Sequence, residues 1–219
     1  MAIEVLSEIV ANQIAAGEVV NRPSSVVKEL LENSIDSGAN EILLIVKDAG
    51  RTLIQVKDNG CGMSKEDAQK CFLPHATSKI KSSEDLLNLT TMGFRGEALS
   101  SIASISQIEL QTRREEDELG TKVIIEGGIV KEVCDVSCPK GTNIFVKNIF
   151  FNTPARRNFL KSDSVEFSHI NEEFIRVALV NTDVSFILYH NEQMQYRLEQ
   201  GNQKRRMIGI FAPNLREKL

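Results

Sequence analysis

The spacing of apolar residues predicts an amphipathic helix near the start of the chain. The residues that recur at a period of about 3.6 are Val27, Leu30, Leu31 and Ile35. Pro23 suits the first helical position, where its missing N–H group has no partner to lose, and Gly38 follows as a stop signal. We therefore predict a helix from Pro23 to about Asp36, with polar residues opposite the apolar face.

After this helix the pattern becomes that of strands. An apolar run over 41–47 and an alternating segment over 52–57 flank Asp48-Ala49-Gly50, which predicts a β-hairpin. Further strands are predicted at 108–112, 122–126, 129–136, 143–146, 184–189 and 193–198, and further helices at 64–71, 96–105 and 165–179. This order predicts an α+β fold: a two-layer α/β sandwich, in which helices cover one face of a mixed, mainly antiparallel sheet.

Two other stretches shape the domain organisation. Residues 72–94 show little periodicity and many small or polar residues, and a loop of that length inside a compact domain is usually functional. The composition turns polar at Gln200-Gly201-Asn202. We therefore predict one domain over residues 1–200 and the beginning of a second over residues 201–219.

Bulk composition excludes several classes of protein. No apolar run approaches the roughly 18 residues of a membrane span, and the N-terminus has an early acid and no basic region, unlike a secretory signal. Four cysteines without histidines at metal-ligand spacing indicate free thiols in a reducing cytoplasm. The net charge of −4 leaves any nucleic-acid contact to local clusters, and a solvated surface explains such clusters as well. The two basic clusters are Arg156-Arg157 with Lys161, and Lys204-Arg205-Arg206.

Two polar residues of the first helix indicate water and metal chemistry. Glu29 and Asn33 lie four positions apart and therefore on one helix face. A carboxylate there can orient or deprotonate a water molecule. A carboxamide oxygen suits Mg²⁺, which takes most of its ligands from phosphate and water. A solvent-facing polar stripe is the alternative explanation of the pair.

Glycine-bearing loops supply candidate ligands for a nucleotide. Asp58 ends a strand and can accept a hydrogen bond from the exocyclic amine of adenine, while Gly60 and Gly62 permit a close backbone approach. A plain turn is the alternative. The segment Gly93-Phe94-Arg95-Gly96 precedes a helix, whose free N–H groups bind phosphate. A flexible helix entry gives the same pattern.

Two shorter motifs are compatible with the same ligand. Thr77, Ser78 and Lys79 follow His75 within the long loop, where hydroxyl groups and an ammonium group can meet phosphate or ribose. Gly141-Thr142 opens a predicted strand, where the hydroxyl of Thr142 can support Asp58. Neither motif is specific on its own.

The four motifs at 29–33, 58–62, 93–96 and 141–142 resemble, in the same order, those of the GHKL ATPases. Longer strings at 11–20, 75–80, 93–99 and 151–157 resemble the MutL family of DNA mismatch repair proteins. The resemblance covers essentially the whole chain and implies the GHKL (Bergerat) fold with ATP and Mg²⁺ as cofactors. It implies Glu29 as the general base and Asn33 as the metal ligand. The implied nucleotide contacts are Asp58, Gly60, Gly62, Thr77, Ser78, Lys79, Gly93, Phe94, Arg95, Gly96 and Thr142.

The resemblance also implies a mechanism and partners. In this family water attacks the γ-phosphate, while ATP orders a lid and closes two N-terminal regions into a homodimeric clamp. The implied partners are DNA and a MutS-type mismatch recognition protein, met in a bacterial cytoplasm. The family's second-domain lysine would lie beyond Leu219, so we expect weak hydrolysis from this chain. A histidine kinase catalytic domain and a DNA-binding scaffold remain alternatives at this point.

Overall fold

A computed structural model of the protein describes residues 13, 14, 16, 17, 19–77 and 96–211. Their helices are α1 (Pro23–Asp36), α2 (Lys65–Lys70), α3 (Ala98–Ser104), α4 (Pro154–Phe159), α5 (Asp163–Val180) and α6 (Gln203–Phe211). Their strands are β1 (Glu41–Lys47), β2 (Leu53–Asp58), β3 (Gln107–Arg113), β4 (Gly120–Glu126), β5 (Ile129–Val136), β6 (Gly141–Lys147), β7 (Ser185–His190) and β8 (Gln193–Leu198). Within these ranges no helix combines the length and apolarity that a bilayer crossing requires.

The strands form one mixed sheet of eight strands in the order β5-β4-β3-β6-β2-β1-β7-β8. Neighbouring strands are antiparallel except β1 and β7, which are parallel. The predicted hairpin is confirmed, since β1 and β2 pair directly and a 3-10 turn at Asp48–Gly50 joins them. The α+β class and the mixed, mainly antiparallel sheet are therefore confirmed.

The core lies on one face of this sheet because alternate strand residues point to the same side. On the central strands the buried positions include Ile42, Leu44, Val46, Ile54 and Val56. Helix α1 packs against β2 and against α5. Leu31 of α1 and Phe174 of α5 are fully buried, and the ring of Phe174 meets that of Phe186 edge-on at 6.0 Å. The strongly apolar face predicted for α1 is thus its packing surface.

Helix boundaries follow local chemistry. Ser64 caps α2 as predicted, because its hydroxyl accepts a hydrogen bond from the Asp67 N–H group at 3.1 Å. Helix α3 begins at Ala98 and not at Gly96, since Gly96 has a φ of +63°, which no helical residue adopts. Helix α4 was not predicted; Pro154 starts it, but none of its residues is buried, so it has no apolar periodicity to detect.

Helix α6 overturns one element of the predicted basic surface. Arg206 was predicted to be an exposed cation of the cluster 204–206, but it is 2% exposed. Its guanidinium group donates to the carbonyl groups of Ala178 and Val184 and lies 5.3 Å from the ring centroid of Phe186. Arg206 therefore fixes α6 to the end of α5 and is unavailable to DNA. The domain boundary near residue 200 stays a prediction.

We predict that Arg206→Met lowers the free energy of unfolding by about 2 kcal/mol or more, because it leaves buried carbonyl groups without donors. Arg205→Met is the matched control, since Arg205 is exposed on the same helix. Denaturant unfolding followed by circular dichroism measures both. Equal stability of the two variants would show that the buried guanidinium group is not what holds α6 in place.

Candidate functional site

The covered face of the sheet ends in a row of polar side chains. Asp58 pairs across the strands with Thr142, Thr142 with Thr112, and Thr112 with Thr121. The next row on the same face is apolar and consists of Val56, Ile144, Leu110 and Val123. The register of four neighbouring strands therefore places hydrogen-bonding groups side by side at one edge of an otherwise hydrophobic layer.

Asp58 is the centre of this row. Its carboxylate is 8% exposed, and its Oδ1 atom accepts hydrogen bonds from the N–H groups of Gly60 at 2.9 Å and Thr142 at 3.2 Å. Its Oδ2 atom accepts one from the hydroxyl of Ser34 at 3.0 Å. Burial raises the pKa of Asp58, and these three hydrogen bonds act in the opposite direction. Oδ2 retains a lone pair for a further donor.

Two residues of this network were missed by sequence reasoning. The sequence carries no signal for Ser34, which only follows Asn33 in α1. It carries none for Thr112 either, because the role of Thr112 depends on the β3–β6 register. The Thr112 Oγ1 atom accepts from the Met63 N–H group at 3.0 Å and lies 3.1 Å from the Thr142 Oγ1 atom. The Thr142 backbone N–H group donates to Asp58, and the support of Asp58 by the Thr142 hydroxyl stays a prediction.

The glycines after Asp58 are required by close packing. A Cβ atom at Gly60 would lie 1.9 Å from the Ser37 Oγ atom, and one at Gly62 would lie 2.1 Å from the Arg113 carbonyl oxygen. Gly62 also has a φ of +69°, a conformation that favours glycine. The loop after β2 is thus packed between the end of α1 and the end of β3, which holds the Gly60 N–H donor on Asp58.

Helix α1 connects this network to the predicted catalytic pair. Ser34 donates to Asp58, and Asn33 precedes it in the same helix. Glu29 lies one helical turn before Asn33, with its side chain 26% exposed and its Oε1 atom 3.3 Å from the Nζ atom of Lys28. Glu29 and Asn33 therefore share one face of α1, and their roles at the site stay predictions.

Part of the predicted lid and phosphate loop lies outside the described residues. These residues are Ser78, Lys79, Gly93, Phe94 and Arg95.

The two ends of this stretch meet. A Cβ atom at Gly96 would lie 2.6 Å from the Ala76 carbonyl oxygen, immediately before Thr77. The His75 Nδ1 atom is 3.3 Å from the Glu97 Oε1 atom. The described ends of the lid and phosphate loop predicted from sequence therefore lie next to each other at Ala76 and Gly96.

The residues of the two predicted basic clusters differ in their exposure. Arg157, Lys161, Lys204 and Arg205 are exposed. Arg156 is a second correction: it is not an exposed cation, because its guanidinium group lies against the backbone at Ile14 and Gly17.

The fold and the site together define a class of protein. A buried aspartate at a strand end, a tight glycine loop, and a helix that carries glutamate and asparagine one turn apart are the elements of a GHKL-type nucleotide-binding domain.

Comparison with known proteins agrees with this class. Residues 21–135 match the family model described as histidine kinase-, DNA gyrase B- and HSP90-like ATPase. The DNA mismatch repair protein MutL of Flavobacterium johnsoniae is 56% identical over 99% of this chain, and that of Porphyromonas gingivalis is 54% identical over 99%. The chain spans 34% and 35% of the lengths of these two relatives.

Solved structures give the same result. The Aquifex aeolicus MutL ATPase domain complexed with ADP has a TM-score of 0.75 and 32% identity, covering 88% of this chain and 70% of that one. A second structure, the N-terminal domain of a DNA repair protein, has a TM-score of 0.79 and 26% identity, covering 94% of this chain and 62% of that one. This chain belongs to the MutL family of DNA mismatch repair proteins and corresponds to its ATPase domain. The histidine kinase alternative is thereby excluded.

We predict that Ser34→Ala raises the pKa of Asp58 further, because the lost hydroxyl donates to the ionised carboxylate and stabilises it. Carboxyl ¹³C NMR during a pH titration measures this pKa. Ser24→Ala is the control, since Ser24 is also buried in α1 but lies about 15 Å earlier along the helix. A pKa that stays the same or falls in Ser34→Ala would contradict the assigned network.

Proposed function

We propose that this domain binds ATP with Mg²⁺, hydrolyses it slowly by direct attack of water, and acts as a nucleotide-dependent switch in mismatch repair. The observation that carries the proposal is the state of the Asp58 carboxylate. It is buried, held by two backbone N–H groups and one hydroxyl, and still has an acceptor lone pair on Oδ2. A buried carboxylate with a remaining lone pair is suited to accept a hydrogen bond from a donor group of the ligand.

The donor that suits Asp58 is the exocyclic amine of adenine. Guanine presents a carbonyl oxygen at the equivalent position, and two acceptors facing each other in a buried site leave both unsatisfied. A buried polar site of this kind discriminates by leaving the wrong ligand without a partner. The Asp58 pocket therefore favours adenine nucleotides.

The residues present fit a magnesium–nucleotide complex. Asn33 offers one neutral oxygen, and among the described residues no three histidine, cysteine or acidic side chains are grouped to hold a metal by themselves. Mg²⁺ commonly completes its shell with phosphate oxygens and water. Asn33 would thus hold an ion that arrives with ATP, and the bound ion would neutralise charge on the phosphate oxygens.

Glu29 supplies the proton acceptor for hydrolysis. Its carboxylate is partly exposed on the α1 face that Asn33 shares, so a water molecule can lie between it and the phosphate. The protein's contribution is positioning: Glu29 orients the water and takes its proton, and the backbone amides near Gly96 hold the phosphate oxygens. Hydrolysis then removes the contacts that order the lid beginning at Thr77.

The partners of the full-length relatives enter this proposal as well. We include nucleotide-dependent homodimerisation, engagement of a MutS-type recognition protein and contact with DNA. For DNA, Arg157 and Lys161 are exposed and bracket Phe159, whose side chain is 81% exposed. Cations beside an exposed aromatic ring suit phosphate contacts and base stacking on single-stranded DNA.

We predict that Asp58→Asn weakens ATP binding about 10- to 100-fold, because the carboxamide loses the charged acceptor that faces adenine. Isothermal titration calorimetry with a non-hydrolysable ATP analogue and Mg²⁺ measures the dissociation constant. Asp135→Asn, at an exposed carboxylate paired with Lys65, is the control. Unchanged affinity in a folded Asp58→Asn protein would remove the base-reading role.

We predict that Glu29→Gln keeps ATP binding and loses about 10²- to 10⁴-fold in turnover, because only the proton acceptor is removed. Phosphate release measures turnover, and calorimetry measures binding. Glu173→Gln is a matched control, since Glu173 has a similarly exposed side chain and also pairs with a neighbouring cation, Arg176. Loss of binding with intact turnover would refute the general-base assignment.

We predict that the pair Arg157→Ala and Lys161→Ala weakens single-stranded DNA binding and reduces the slope of log K against log salt by about 1.4, since two phosphate contacts are lost. Fluorescence anisotropy at several salt concentrations measures the slope. The pair Lys204→Ala and Arg205→Ala removes equal charge from α6 and should leave it unchanged. The opposite pattern would move the DNA contact to α6.

A further inference from the structure

The turn between β6 and α4, together with the first residues of α4, contacts helix α3 and the residues before α1. Asn152 donates through Nδ2 to the carbonyl oxygen of Ser104, the last residue of α3, at 2.8 Å. Four residues later, Arg156 directs its guanidinium group to the N-terminal segment, here defined as residues 13–20. Residues 152–156 therefore contact both α3 and this segment.

The contact with the N-terminal segment is unusually close. The Arg156 Nη2 atom donates to the Ile14 carbonyl oxygen at 3.5 Å. A Cβ atom at Gly17 would lie 1.3 Å from the same Nη2 atom. Gly17 has helical backbone and not the left-handed conformation that calls for glycine. The structure therefore requires glycine at this position because the guanidinium group occupies the space of a side chain.

The junction is not built for stability alone. Three of its polar atoms, Asn152 Oδ1, Thr153 Oγ1 and Arg156 Nη1, are buried without a hydrogen-bond partner among the described residues. Buried polar groups without partners are costly, and a partly satisfied network favours any rearrangement that completes it. By contrast, the adjoining Phe150 is fully buried and its N–H group bonds to the Ile105 carbonyl oxygen at 2.7 Å. The unpartnered polar atoms of this junction thus lie next to a well-packed part of the core.

Helix α3 links this junction to the nucleotide. Its C-terminal end is held by Asn152, and its N-terminal end follows Gly96 at the end of the phosphate loop. A helix of seven residues is about 10 Å long and moves as a unit. Any shift that phosphate binding imposes on Gly96 therefore reaches Ser104, Asn152 and then Arg156.

We propose that Asn152 and Arg156 are positioning residues that couple nucleotide binding to the N-terminal segment, with Asn152 holding α3 and Arg156 holding Ile14 and Gly17. The proposal rests on the proposed function, because it requires the phosphate loop to bind ATP. It assigns Arg156 to this coupling and leaves DNA contact to its exposed neighbour Arg157.

The test is hydrogen exchange of the amides of residues 13–20, with and without a non-hydrolysable ATP analogue, in the 219-residue chain. In the wild type we expect the analogue to change their exchange by about fivefold or more, the lower end of typical coupling between sites. Arg156→Ala and Asn152→Ala should still bind the analogue by calorimetry but lose this change. Asn158→Ala, at an exposed residue of the same helix α4, should behave as the wild type.

A double-mutant comparison separates a specific contact from general damage. Gly17→Ala places a methyl group where the guanidinium group lies, so it should displace Arg156 and abolish the nucleotide-dependent change. In the Arg156→Ala background the same methyl group meets no guanidinium group and should have no further effect. Additive effects of the two substitutions, or a full nucleotide-dependent change in Arg156→Ala, would overturn the proposal.

Failure of the proposed function would be recognised separately. If the wild type takes up no adenine nucleotide in calorimetry, the proposed function and the coupling both fail. The exchange of residues 13–20 in nucleotide-free Gly17→Ala and in the double variant then still decides whether Arg156 contacts Gly17.

Discussion

The candidate site of this domain is organised around one buried carboxylate. Asp58 lies at the point where a hydrophobic sheet face ends, and its burial carries a desolvation cost that three hydrogen bonds offset only in part. Those bonds come from α1, from the glycine loop and from β6. If any one of these elements moves, the acceptor on Oδ2 moves with it. The position of this acceptor is therefore set by the packing of several elements of the domain.

The same arrangement explains why one helix is so central. Helix α1 buries Leu31 in the core, and its Ser34 hydroxyl donates to Asp58. Apolar packing against β2 and α5 fixes its rotation, so the hydrophobic face determines where the polar residues point. Helix α3 also packs against α1. The elements that carry the predicted base, metal and phosphate contacts are thus held in place by the core.

Much of this could be predicted from sequence, and the misses have physical reasons. The amphipathic pattern of α1, the apolar run of β1, the alternation of β2 and the cap at Ser64 are local signals, and the structure confirms these elements. Thr112 could not be found in this way, because it reaches Thr142 only through strand register. The burial of Arg206 could not be predicted because a run of cations usually marks a solvated surface. Its partners are the carbonyl groups of Ala178 in α5 and of Val184, just before β7, which are distant in sequence. The lid and phosphate-loop residues 78–95 remain predictions.

The central claim is that Asp58 reads the amine of adenine, and base discrimination by the wild type tests it most directly. ATP and inosine triphosphate carry the same phosphates and ribose and differ at position 6 of the base, amine or carbonyl oxygen, and in the N1 proton that accompanies the oxygen. Calorimetric titration of both with Mg²⁺ should give a dissociation constant for inosine triphosphate about tenfold or more above that for ATP, the loss of at least one hydrogen bond to a charged group. Equal affinity for the two nucleotides would contradict the account.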